Sequence, residues 1–125
     1  RLREDARRII REAVNAGDAA VLFCGSGSTG AINKLVGMLN LRLPADLDAQ
    51  YGLLGQIPED QRPVVFVGPF EHHSNELPWR ESLADVVQIP EDPDGHIDVA
   101  RLEAELAAHA DRPLNPLPPN RRRAP

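Results

Sequence analysis

Two short stretches hold the chemically capable side chains of this sequence. The first is Gly25-Ser26-Gly27-Ser28-Thr29-Gly30, with G-x-G-x-x-G spacing directly after an apolar run and ahead of a helical pattern. Glycines let a backbone approach an anion closely, and a helix N-terminus adds free N–H donors and the positive end of its dipole. Ser28 and Thr29 supply hydroxyls where a phosphate would sit. Three readings stand side by side: a tight turn with Ser28 or Thr29 as helix N-cap, a dinucleotide turn, and a phosphate cup. A dinucleotide fold asks for an acidic residue about 20 positions on, at the end of the next strand. Asp46 and Asp48 have that spacing but come after Pro44 in what reads as a helix start. A P-loop is excluded, because Ala31-Ile32 and not Lys-Ser/Thr come after Gly30.

The second stretch is Phe70-Glu71-His72-His73-Ser74-Asn75. Adjacent histidines after a strand are open to a surface-loop reading, to a metal reading with Glu76, and to stacking of one imidazole on a planar ligand. Adjacent residues rarely both reach one ion, and no H-E-x-x-H helix is present, so no metal is assigned. A phosphate cup at the end of a neighbouring strand would favour stacking, with the two loops holding a flat phosphorylated ligand by both ends.

Periodicity supplies the framework for these loops. Ala6, Ile9, Ile10, Ala13 and Val14 recur at helical spacing, and Asn15 and Gly17 end that helix. Ala19–Cys24 is a continuous apolar run that reads as a buried strand. Ile32, Leu35, Val36 and Leu39 mark one face of a second helix, closed by Pro44. Residues 45–62 read as a connecting helix and loop. Val64–Val67 is a second buried strand, 77–83 a short helix and Asp85–Ile89 a third strand. A last helix starts at Asp98 as N-cap, with Ile97 and Leu102 placed for a hydrophobic staple. The expected fold class is α/β, with a mostly parallel sheet of about three strands and flanking helices. So thin a sheet reads as part of a larger α/β domain whose edges and faces need cover.

Composition bounds the rest. The chain has 125 residues, enough for one small domain. Apolar residues are 42% but aromatics only 4%, so the core is aliphatic. No apolar run approaches the roughly 20 residues of a membrane span, and no signal-peptide pattern is visible. A net charge of −5 argues against nucleic acid as partner. A single cysteine, Cys24, excludes an internal disulfide and reads as a small core residue. Thirteen of the fourteen basic residues are arginine, and Lys34 is the only lysine.

The two motifs, in this order and separation, resemble class V aminotransferases and cysteine desulfurases. Val21–Asn33 looks like their phosphate-cup segment. Glu71-His72-His73-Ser74-Asn75-Glu76-Leu77-Pro78-Trp79 is similar to their Glu-His-His-x-Asn-x-x-Pro-Trp loop, and Asp94–Val99 fits the next segment of the family pattern. The resemblance covers about residues 1–114 and implies part of the large domain of a pyridoxal 5'-phosphate enzyme. It implies Gly27, Ser28 and Thr29 as cofactor-phosphate ligands and His72 as the ring-stacking, catalytic-site residue. Asn33 takes a supporting place, while packing accounts for His73 and Trp79 as well. It also implies a small-molecule amino-acid substrate, a cytoplasmic location and a homodimer, without membrane or nucleic-acid partners.

In the family an aspartate near the pyridinium nitrogen and a cofactor-binding lysine come from later strands. Residues 115–125, rich in Pro and Arg, read as a tail outside the fold, so the chain is expected to be inactive alone. The alternative is a non-enzymatic phosphate- or nucleotide-binding α/β module.

Overall fold

The computed structural model describes residues 1–114; the expected tail at 115–125 lies outside them. The chain runs α1 (Leu2–Ala13), α2 (Gly27–Met38), α3 (Ala45–Tyr51), two 3-10 turns (Leu54–Gln56 and Glu59–Gln61), β1 (Val64–Val67), α4 (His73–Arg80), β2 (Asp85–Gln88) and α5 (Val99–Ala108). The class is mixed α/β, as the element order implies.

The sheet has two strands among the described residues. β1 and β2 pair in parallel with Val64 opposite Asp85 and Val67 opposite Gln88, and α4 makes the crossover between them. Val-Val-Phe-Val suits a pleated surface, and its alternation separates two contacts. Val65 packs on the core beneath α2, while the ring of Phe66 meets His109 edge-on at 5.9 Å.

The first of the three expected strands, Ala19–Cys24, does not form; it runs as irregular backbone with Leu22 and Phe23 exposed. An apolar run becomes a strand only when a neighbour takes up its N–H and C=O groups. No described strand lies beside this one. Its ties are to α1: Arg7 Nε donates to the Val21 carbonyl at 3.2 Å, and the Arg7 guanidinium lies 5.8 Å from the centre of the Phe23 ring. α1 itself buries no residue.

The core sits where α2, α4 and β2 meet. Val36, Leu41, Leu83 and Ala84 form its centre, with Ile32, Leu39, Leu54, Val65 and Trp79 packed around them. Ile32, Val36 and Leu39 face inward as their spacing implies, but Leu35 is exposed. The segments just past the C-terminal ends of α2 and α4 are joined by backbone. Leu83 N–H donates to the Leu41 carbonyl at 3.0 Å, and Arg42 bridges to Ser82. Buried Ser82 is satisfied, its hydroxyl donating to the Trp79 carbonyl and accepting from Ala84 N–H.

α5 starts at Asp98 as its sequence implies, with the carboxylate accepting from Arg101 N–H at 2.8 Å. Arg112 ties the end of that segment to the sheet: Nε donates to the Arg62 carbonyl and the guanidinium pairs with Asp85.

Candidate functional site around the Gly25–Gly30 turn and His72

Local geometry at the first motif explains two of its three glycines, Gly27 and Gly30. Ser26 and Gly27 both have positive φ, 61° and 67°. Gly27 takes that conformation without the steric cost a side chain brings, whereas Ser26 bears about 1–2 kcal/mol. Gly30 is required for a different reason. A Cβ there would overlap the Gly25 carbonyl oxygen, which lies against the first turn of α2. The turn therefore closes only with glycine at position 30.

α2 begins at Gly27, ahead of both Ser28 and Thr29, so neither is its N-cap. Ser26 holds the cap position without a side-chain hydrogen bond. Gly30 N–H makes a long contact to the Ser26 carbonyl at 3.4 Å. Among the described residues, the Gly27, Ser28 and Thr29 amides donate to nothing, as expected for a first helical turn. The same three residues are exposed. The arrangement offers donors to an approaching anion.

The second motif is built as a closed loop. Asn75 Nδ2 donates to Glu71 Oε2 at 2.6 Å, and Glu71 Oε1 lies over Gly68. The His72 carbonyl accepts from the amides of Asn75 and Glu76, which starts α4. His72 is the N-cap, its Nδ1 accepting from Ser74 N–H at 3.2 Å and lying 2.9 Å from Ser74 Oγ. α4 thus begins at His73, four residues before the helix expected at 77–83, and ends at Arg80. Pro78 lies inside it and leaves the Ser74 carbonyl without its helical N–H partner.

The rings of His72 and His73 are exposed, 6.1 Å apart and inclined at 43°. Trp79 packs on the core, which accounts for it without a ligand. Sequence reasoning missed Ser74 and the Glu71–Asn75 bond. Both are readable only once α4 is known to start at His73.

The two loops head helices that pack on each other, α2 and α4. No hydrogen bond joins Gly27–Gly30 to His72 among the described residues. Asn33, one turn into α2, donates to the Thr29 carbonyl at 3.0 Å and accepts from Arg42 Nη2 through its backbone and side-chain oxygens. It supports the first turn from behind. Beyond it Asn33, Arg42, Asp48 and Arg80 help line a cleft of about 480 Å³ that does not reach Gly27, Ser28, Thr29 or His72.

The dinucleotide reading loses its acidic partner, because Asp46 and Asp48 both lie in the first turn of α3 and not at a strand end, and Asp48 Oδ1 accepts from Leu54 N–H at 2.7 Å. Lys34 is exposed on α2 and makes no ion pair among the described residues. Cys24 is half-buried in the irregular segment and belongs to no described core cluster. No helix among the described residues is long and apolar enough to cross a membrane.

Comparison with family models, curated proteins and solved structures finds no match to the chain.

Proposed function

We propose that residues 1–114 hold pyridoxal 5'-phosphate as the N-terminal part of a large domain of the class V aminotransferase or cysteine desulfurase type, acting on an amino acid. The observation that carries the reading is the start of α2. It presents exposed, uncommitted amides and two hydroxyls behind a turn that only glycine can close, on a helix packed against the one His72 caps.

The amides of Gly27, Ser28 and Thr29 and the two hydroxyls would donate to phosphate oxygens. His72 would lie against the pyridine ring. Bound pyridoxal phosphate supplies an electron sink for bonds at an amino-acid α-carbon. The same reading carries with it a cytoplasmic location, an amino-acid substrate and a homodimer.

Lys34 lies one turn beyond Gly30, and a helical turn advances about 5.4 Å along the axis, away from the phosphate end. Its exposed position favours a second reading in one respect: the chain by itself binds without turnover, as a phosphate-binding module does.

A competition separates the two. The chain is loaded with pyridoxal phosphate, monitored by its absorbance, and challenged with pyridoxamine phosphate or with ATP. Displacement by pyridoxamine phosphate alone supports the proposal, and equal displacement by ATP supports the module. Borohydride reduction and peptide mapping of the loaded chain should give no stoichiometric label on Lys34. Full labelling of Lys34 with amino-acid-dependent turnover would overturn this assignment of roles.

A further inference from the structure

The loop that starts α4 also decides which nitrogen of His72 carries the proton. Ser74 N–H is a donor only, and it points at His72 Nδ1 from 3.2 Å. That nitrogen must therefore offer a lone pair, and the Ser74 hydroxyl, 2.9 Å away, donates to the same atom. The proton of the neutral ring is left on Nε2. His109 shows the reverse. Its Nδ1 lies 2.9 Å from the Glu105 carbonyl and 3.5 Å from Glu105 Oε2, which both only accept, so Nδ1 carries its proton.

We infer that His72 is held as the Nε2–H tautomer and that Ser74 is the positioning residue that holds it, while His109 is held as the opposite tautomer. The Glu71–Asn75 bond, across the same loop, fixes the backbone on which this pair sits. His72 accordingly turns its lone pair into the helix start and leaves Nε2–H as the ring's polar atom without a partner among the described residues. A ligand group that meets the edge of the ring must be an acceptor, such as a carboxylate or phenolate oxygen. Only this consequence for a ligand rests on the function proposed above; the tautomer rests on the loop.

The test uses the full chain labelled with 15N-histidine and long-range 1H–15N correlation at mildly alkaline pH, where an imidazole is neutral. His72→Asn, His73→Asn and His109→Gln assign three of the four histidine rings, and the remaining signal is His96. His72 should show Nε2 protonated and Nδ1 bare, and His109 the opposite. Exposed His73 should show a mixture. Ser74→Ala removes the hydroxyl donor and keeps the amide donor, so His72 should move only part of the way toward the His73 mixture; Ser74→Thr should restore it, and His109 should stay unchanged in both, reporting an intact fold.

A wild-type His72 that is mixed like His73, or protonated on Nδ1, overturns the inference. A folded Ser74→Ala variant with His72 unmoved overturns the role of the Ser74 hydroxyl. Pyridoxal phosphate is absent from the sample, so failure of the chain to bind it leaves these results standing.

Discussion

Residues 1–24 and residues 27–89 contain similar apolar side chains, but only the second region buries any of them fully. Leu41 and Ile89 are 1% and 0% exposed, whereas Leu2 is 86% and Phe23 53% exposed. The difference lies in partners. α2, α4 and the two strands close on one another through the Leu41–Leu83 bond and the parallel ladder. α1 and Ala19–Cys24 meet chiefly each other, through Arg7, and offer their apolar surface outward. Burial, and with it cooperative stability, belongs to the second region. The candidate site stands at its border: the turn grows out of the loose segment, and the helix that carries the donors is anchored in the core.

The sharpest break of this contrast is Leu41→Ala. Truncating a fully buried leucine should cost about 2–5 kcal/mol, seen as a lower urea midpoint with little change in slope. Gly30→Ala comes next. Its Cβ meets backbone, so the Gly25–Gly30 turn must shift, at about 1–3 kcal/mol. Amide spectra should show the largest displacements at Gly25–Thr29. An unmoved turn would show that Gly30 is not the residue that closes it.

His72→Ala removes an N-cap and should cost about 1 kcal/mol, while His72→Asn keeps a capping acceptor and most of that stability. Both lose the imidazole, so both should lose cofactor affinity. That pair of variants separates the cap from the stack by urea melt and by absorbance titration. Phe23→Ala should change stability by less than about 0.5 kcal/mol, because the ring is half out of the protein already. A loss comparable to Leu41→Ala would show that residues 1–24 are packed in solution and erase the contrast.

Legibility in the sequence divides along the same line. Asp98 as N-cap, the inward row of Ile32, Val36 and Leu39, and Val64–Val67 as a strand are local patterns whose partners lie within the chain. Ala19–Cys24 has the composition of a strand, but pairing is non-local, and composition alone does not provide the neighbour. The start of α4 is hidden for a chemical reason. Capping preference points to Ser, Thr, Asp and Asn, and here the acceptor is an imidazole nitrogen two residues before Ser74. The helix start at Gly27, Ser28 and Thr29 is legible because glycine spacing and a helix start are both local.

That the α2 amides and His72 hold pyridoxal phosphate together is open to an amide-resolved titration. Pyridoxal phosphate added to the 15N-labelled chain should shift Gly27, Ser28 and Thr29 and the His72 ring in one saturable curve. Inorganic phosphate should move only the amides, and ATP should not reproduce the His72 shift. Shifts confined to Lys34, or the same pattern with ATP as with pyridoxal phosphate, would contradict it.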